Sequence, residues 1–145
     1  MADEDMNVGV LMFIPYRAME SRVLGAIAGA GFEDITLAQA RMMARIAPKG
    51  NRLTELAEQA QVTKQTAGFL VDQLERAGYV ERVPDPSDGR ARLVRLAERG
   101  ERARRVANDE AAAVQREWAA HLGVQRMRQL RDALTRLREI TDPYA

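Results

Sequence analysis

Two short amphipathic helices followed at once by an arginine-bearing β-hairpin are predicted for residues 53–96, and few folds are compatible with this order. The first helix carries an apolar stripe over residues 53–60. The second follows Thr63, a candidate N-cap, ends before Gly78, and repeats apolar residues at i, i+3, i+4 and i+7. Helices that brace each other in this way leave the outer face of the second exposed. The pattern therefore predicts a helix-turn-helix with a β-wing.

The wing is predicted as two short strands, residues 79–83 and 92–96, joined by a tight, charged loop. Asp85 and Asp88 are expected to shape this loop through turn hydrogen bonds and to pair with Arg90. Arginines on such a hairpin suit a narrow, electronegative minor groove or the flanking phosphates. The arginines of the hairpin are Arg82, Arg90, Arg92 and Arg95.

Helical segments flank the winged part, which makes the predicted fold class mainly α with a small β-wing. Residues 8–30 have apolar residues at mostly helical spacings, and Pro15 marks either a kink or the start of that helix. Thr36 is the predicted N-cap of a short helix, and residues 98–122 and 124–140 form two longer ones. The last helix has an apolar stripe that needs a partner, which predicts a homodimer. The stripe consists of Met127, Leu130, Leu134 and Leu137.

Composition excludes several classes of function. Cysteine is absent and His121 is the only histidine among 145 residues, which excludes disulfides, thiolate nucleophiles and cysteine-based or paired-histidine zinc sites. No nucleophile–base pair or phosphate-binding loop is present, so neither an enzyme nor a cofactor is predicted. The longest apolar stretch, residues 8–14, is too short for a membrane span, and the acidic residues 1–5 lack the basic start of a secretory signal. We therefore expect a cytoplasmic protein.

The net charge of +1 is unevenly distributed along the chain. Residues 1–40 contain 2 basic and 6 acidic residues, whereas residues 41–105 contain 14 basic and 9 acidic residues. Residues 106–145 contain 6 of each. The basic excess thus coincides with the predicted winged part, as a phosphate-binding surface requires, although a solvated face is the commoner reason for such an excess.

The start of the second short helix offers groups that suit DNA. Gln65 has the amide geometry to bind adenine bidentately, and Gly68 allows a close approach of the backbone. The alternatives are a structural helix pair with a polar outer face, or a winged helix that binds protein; the basic middle segment and the wing favour DNA. Hydroxyl, ammonium and amide groups cluster at the positive end of the helix dipole, on Thr63, Lys64, Gln65 and Thr66.

Two further positions on the same helix have alternative interpretations. Phe69 either contacts a thymine methyl group or packs locally, and packing is favoured. Asp72 and Arg76 stand at i and i+4, which predicts an ion pair on the helix surface. Asp72 is accordingly interpreted as a surface carboxylate without a catalytic task.

One continuous span carries a family resemblance. LTELA at 53–57, VT at 62–63, LVDQLERAGYVER at 70–82 and DPSDGRARLV at 85–94 resemble the MarR family of winged helix-turn-helix transcriptional regulators in both sequence and spacing. The resemblance covers about residues 37–100; the flanking helices are similar in length and order only. It implies a homodimer that binds a palindromic operator of double-stranded DNA and, in many members, is released by a small amphipathic or phenolic ligand.

The resemblance also assigns residues to the DNA contact. It places the family's wing arginine at Arg90. Gly89 stands where many relatives have a second arginine, so the minor-groove contact of the wing is expected either to be weaker or to shift to Arg90 and Arg92. The recognition-helix positions of the family fall on Thr63, Lys64, Gln65, Thr66, Gly68 and Phe69.

The resemblance further implies one domain over residues 1–145, with a winged lobe at about 36–97 and intertwined dimerisation helices at about 8–35 and 98–145. A cavity between lobe and helices is the expected effector site, and regulation by oxidation is not expected because there is no thiolate to oxidise. An apolar or aromatic carboxylate is the expected ligand because the candidate walls combine aromatic rings with an arginine. These candidates are Phe13, Tyr16, Arg17 and Trp118.

Overall fold

A computed structural model describes residues 5–144, which form six helices and one two-stranded antiparallel sheet. The predicted fold class, mainly α with a small β-wing, is confirmed. None of the helices in this described part is both long enough and apolar enough to cross a membrane. In chain order the elements are α1 (Val8–Gly29), α2 (Leu37–Ala44), α3 (Leu53–Ala60), α4 (Lys64–Arg76), β1 (Val80–Asp85), β2 (Asp88–Leu96), α5 (Glu98–Leu122) and α6 (Val124–Thr141).

The chain divides into two compact units, and both α1 and α5 pass from one unit into the other. The lobe comprises residues 23–108, and the helical unit comprises the residues up to Arg22 together with those from Asp109 onward. The end of α1 and the start of α5 therefore belong to the lobe. The division into a winged lobe and dimerisation helices at about residues 36 and 97 stays a prediction.

The core of the lobe forms where α2, α3 and α4 pack against one another. Met42, Leu56 and Val71, one from each helix, are completely buried there. Ile27 at the end of α1 and Ala103 near the start of α5 join the same cluster. Burial of apolar side chains from five helices gives the lobe a continuous hydrophobic core that holds α4 in place.

Side-chain caps fix where α2 and α4 begin, as the sequence predicts. The backbone N–H of Gln39 donates to Thr36 Oγ1 at 3.2 Å, and the Thr36 N–H donates back to Gln39 Oε1 at 3.0 Å. The N–H of Thr66 donates to Thr63 Oγ1 at 3.1 Å. Gln61, in the left-handed conformation at φ 57°, makes the turn between α3 and α4.

The wing is a longer hairpin than the sequence predicts. β1 and β2 pair in antiparallel register from Val80–Leu96 to Pro84–Arg92, so residues assigned to the loop lie within the ladder. A register irregularity follows Pro84, and a two-residue turn joins the strands. Proline and charged residues obscure the strand pattern in the sequence, but the backbone pairing continues through them.

A single β-bridge attaches the wing to the connection between α2 and α3. The Asn51 N–H donates to the Val94 carbonyl at 2.9 Å, and the Val94 N–H donates to the Asn51 carbonyl at 2.8 Å. The Asn51 side chain in turn accepts a hydrogen bond from the Ala47 N–H at 2.7 Å. The base of the wing is therefore fixed to the helical part of the lobe.

A buried tyrosine between α4 and the wing contacts the loop before α2 and the start of α5. The Tyr79 hydroxyl donates to Asp34 Oδ1, and the guanidinium of Arg99 lies 4.2 Å from the centroid of the Tyr79 ring. Burial and the bond to Asp34 raise the pKa of Tyr79 to about 12, and the same bond lowers the pKa of Asp34. The tyrosine therefore remains a neutral donor at physiological pH.

The helical unit exposes much of its apolar surface. α1 continues as one helix through Pro15. The sequence left open whether the helix kinks at this proline or begins there, and the structure shows that it begins earlier, at Val8. Arg22 forms ion pairs with Glu110, at 2.8 Å, and with Glu117, which connect α1 to α5. No side chain of α6 is buried.

Candidate nucleic-acid interface

The outer face of α4 is polar and accessible along its first turn. Its opposite face provides the packing, because Ala67, Leu70, Val71 and Leu74 are all buried. The first turn also presents backbone N–H groups at the positive end of the helix dipole, where anionic groups bind favourably. All four predicted residues of this turn are exposed: Thr63, Lys64, Gln65 and Thr66.

Gly68 and Phe69 differ in their surroundings. A Cβ atom added to Gly68 would lie 3.7 Å from Leu53 Cδ2, so a side chain at this position would point toward α3. Phe69, in contrast, is 58% exposed. The local packing that the sequence favours for Phe69 is therefore wrong, and the ring projects from the outer face of α4.

The predicted ion pair between Asp72 and Arg76 is also wrong. Arg82 from β1 takes that place: it binds Asp72 Oδ1 at 2.7 Å and Glu75 Oε1 at 2.8 Å. Arg76 instead donates its Nε–H to the backbone carbonyl of Asp72 at 3.3 Å. The hairpin returns along α4 and brings Arg82 between the two carboxylates, so this arginine is engaged inside the lobe.

Two of the four hairpin arginines project from the wing without a partner in the part of the chain that the structure describes. Arg95 is paired with Glu81 at 2.6 Å, and Arg82 is engaged as described. The Arg90 backbone N–H donates to Asp88 Oδ1, but its guanidinium, like that of Arg92, has no hydrogen-bond or ion-pair partner within the described residues. Both side chains are exposed, so the wing presents two unpaired positive charges.

The tip of the wing is held by Arg52, which sequence reasoning missed. Arg52, the N-cap residue of α3, binds Asp85 Oδ2 at 2.9 Å and lies 3.7 Å from Asp88 Oδ2. The predicted pairing of these carboxylates with the guanidinium of Arg90 is therefore wrong. Hydrogen bonds from the backbone N–H and hydroxyl of Ser87, together with Arg52, hold the pKa of Asp85 below its usual range. The predicted turn hydrogen bonds of Asp85 are present.

A cavity of about 870 Å³ in the helical unit is lined by three of the four predicted effector residues. Phe13, Tyr16 and Trp118 contribute to its almost entirely apolar wall. Arg17 does not line it. At 3.6 residues per turn Arg17 lies roughly 140° around α1 from Met12, on which the lining residues are centred. The predicted combination of aromatic rings and this arginine in one wall is therefore wrong.

A smaller cavity of about 160 Å³ lies inside the lobe and contains a half-buried arginine. Arg104 donates to the backbone carbonyl of Met43, and burial lowers the pKa of its guanidinium. No carboxylate among the described residues lies within ion-pair distance of Arg104. The rest of the wall is mainly apolar and includes Ile27 and Ile35. Sequence reasoning missed this site because no motif marks it.

The sequence profile of the MarR family matches residues 33–91, a range that contains α4 and the tip of the wing. Curated protein sequences give no match. Among solved structures, the transcriptional regulator Tm0710 from Thermotoga maritima is 25% identical to this chain, covers 92% of both chains and has a TM-score of 0.61.

Two structures solved with ligands have the same fold. CouR from Rhodococcus jostii RHA1, bound to p-coumaroyl-CoA, is 24% identical, with 100% of this chain and 98% of that chain covered and a TM-score of 0.73. NadR in complex with 4-hydroxyphenylacetate is 22% identical, with 94% of this chain and 96% of that chain covered and a TM-score of 0.72. This chain therefore matches the MarR family model over residues 33–91 and shares the fold of these regulators over nearly its whole length.

Proposed function

We propose that this protein is a transcriptional regulator that binds duplex DNA with α4 in the major groove and the wing on the adjacent backbone or minor groove. The observation that carries the proposal is the pair of unpaired wing arginines, Arg90 and Arg92, which follow a helix with a polar, capped first turn. Arginines placed in this way bind phosphates or a narrow minor groove, and the polar turn suits base edges. A winged helix that binds only protein has no need for such charges.

We also propose that the protein acts as a homodimer. Apolar residues of α1 and α6 are widely exposed in the single chain: Phe13 is 55%, Leu134 41% and Leu130 39% exposed. An apolar surface of this extent, on two helices, requires a partner. A second copy of the chain supplies a self-complementary surface and covers the large cavity with its three aromatic rings. A two-fold dimer in turn favours a palindromic operator.

Arg90→Ala is expected to weaken binding to duplex DNA without affecting folding. One phosphate or minor-groove contact per subunit is lost, so the slope of log affinity against log salt falls by about one unit for each contact. Titrations of duplex DNA at several salt concentrations measure this slope. Arg126→Ala, which makes the same change of charge in α6, is the control and should leave the slope unchanged. Equal affinities of the wild type and Arg90→Ala at every salt concentration would contradict a DNA-contacting wing.

We propose further that an aromatic or amphipathic acid releases the protein from DNA. The ligands solved with NadR and CouR both contain a hydroxyphenyl group. The lobe cavity, at about 160 Å³, is close to the size of a cavity that holds benzene, about 150 Å³. Arg104 supports binding of a carboxylate because its guanidinium is half-buried and forms no ion pair with any carboxylate of the described residues; Glu101 acts on its charge only from beyond ion-pair distance.

Arg104→Gln is expected to raise the concentration of 4-hydroxyphenylacetate that releases DNA by about tenfold or more, since a charged hydrogen bond is lost. Competition titrations of the protein–DNA complex measure it. The uncharged alcohol 2-(4-hydroxyphenyl)ethanol is the matched ligand, and the wild type and variant should respond to it equally. An unchanged response to the acid would contradict the role of Arg104, and release by mild peroxide alone would contradict regulation by a ligand.

A further inference from the structure

Phe69 is the most exposed large apolar side chain of the lobe. Phe69 is 58% exposed, and the only other exposed large hydrophobic residue within residues 23–108, all of which are described, is Leu37 at 38%. Leu37 is the first residue of α2 and does not belong to α4. Phe69 is therefore the only exposed large apolar residue of α4, and it lies at the centre of the face that contacts DNA in the proposed function.

The neighbours of Phe69 on this face are polar. Gln65 lies one turn earlier, and Asp72 and Arg76 lie about one and two turns later. A protein interface has an apolar core of several side chains, which this face lacks. The major groove, in contrast, offers isolated apolar groups: the C5-methyl groups of thymine. A single aromatic ring among polar side chains fits that surface better than it fits a protein.

The charges around Phe69 permit the approach of its side chain to the major groove of DNA. The carboxylate of Asp72, at i+3 from Phe69, is bound by Arg82 at 2.7 Å. Its negative charge is therefore compensated within the lobe and opposes the nearby phosphates less than a free carboxylate would. Gln65 and Phe69 are about 6 Å apart along the axis of α4, near the length of two base-pair steps, each about 3.4 Å. A base contact by Gln65 thus brings Phe69 within reach of a base about two pairs away in the same half-site.

We infer that Phe69 determines sequence specificity by contacting the methyl group of one thymine in each half-site. This inference rests on the proposed function, because it requires that α4 enter the major groove. A thymine at that position would be preferred over cytosine, which has no methyl group. Phe69 acts through apolar contact alone and adds no phosphate contact.

The test uses a duplex selected by the wild-type protein from a random pool, in which each thymine is replaced by uracil in turn. Removal of the contacted methyl group is expected to weaken wild-type binding by about fourfold per half-site, from the free energy of burying one methyl-sized group. Phe69→Ala should bind the thymine and uracil duplexes equally, with an unchanged salt dependence. Leu37→Ala is the matched control and should keep the fourfold preference.

The outcomes distinguish failure of the Phe69 contact from failure of the proposed function. If the wild type binds its selected duplex but no uracil replacement weakens it, or if Phe69→Ala keeps the full preference, Phe69 does not contact a thymine methyl group and only this inference is overturned. If selection enriches no sequence and the salt dependence of binding is flat, the proposed function is overturned and the inference with it. A thermal unfolding midpoint equal to that of the wild type shows that Phe69→Ala is folded.

Discussion

Gly100→Ala is expected to destabilise this protein by about 3 kcal/mol and to lower its thermal unfolding midpoint by about 10 °C. Gly100 lies in the first turns of α5, where the helix crosses the start of the wing. An added Cβ atom would overlap the backbone carbonyl oxygen of Tyr79 and lie 3.0 Å from Leu96 Cδ2. That carbonyl cannot easily move, because it accepts a hydrogen bond from the Ala97 N–H at 3.0 Å.

Gly29→Ala is the matched control for this substitution. Gly29 is also helical, but no atom lies within 4 Å of an added Cβ atom. Because alanine has the higher helix propensity, this variant should be as stable as the wild type or more stable by up to about 1 kcal/mol. Thermal unfolding at one fixed protein concentration compares the two variants. Equal midpoints for both would contradict the close crossing of α5 and the wing.

The double substitution Leu130→Glu/Leu134→Glu is expected to convert the proposed dimer into a folded monomer. Both side chains are exposed in the single chain, so two carboxylates there are solvated in the monomer but buried in a dimer. We expect the dimer to weaken by more than about 100-fold, because burial of each unpaired carboxylate costs several kcal/mol. Sedimentation at micromolar concentration measures this change. Affinity for a palindromic duplex should fall by a similar factor, since each monomer then binds one half-site alone.

Gln125→Glu/Arg136→Gln changes the net charge by the same amount on the other side of α6. This control should remain a dimer and bind DNA almost as the wild type does. A Leu130→Glu/Leu134→Glu variant that sediments as a dimer would show that this stripe does not form the interface. A wild-type protein that sediments as a monomer would contradict the proposed dimer and, with it, the palindromic operator.

Features that depend on a few neighbouring residues could be predicted from the sequence. The N-caps Thr36 and Thr63 are correct because a cap needs only its own hydroxyl and a backbone N–H three residues later. Gly78 ends α4 as predicted, with φ at 82°, a conformation that most other residues avoid. The resemblance to the MarR family rests on the same local motifs, and the profile match confirms it.

Features that depend on distant residues could not be predicted. Arg82, and not Arg76, pairs with Asp72 because the hairpin folds back along α4. Helical spacing gives only the neighbours within α4 and says nothing about contacts from that strand. Arg52 reaches Asp85 across 33 positions of sequence. In both cases the sequence identifies the carboxylate as a partner for an arginine, but only the tertiary fold decides which arginine it is.

The effector residues illustrate the same limit. Helical phase does not separate Arg17 from Phe13, because residues at i and i+4 lie on the same side of a helix, yet only Phe13 lines the cavity. Arg104 could not have been found by helical phase either, since its cavity is lined by α1, α2 and α5 together. The exposure of Phe69 is likewise a property of the folded lobe, because an aromatic residue on a helix is more often buried than exposed.

Recognition of an operator by a two-fold dimer is tested most directly by selecting duplexes from a random pool with the purified wild-type protein. The selected sequences should contain an inverted repeat whose half-site centres are roughly 34 Å apart, two chains should bind each duplex, and log affinity should fall steeply with log salt. A selected pool indistinguishable from the starting pool, with binding that does not change with salt concentration, would contradict DNA binding by this protein.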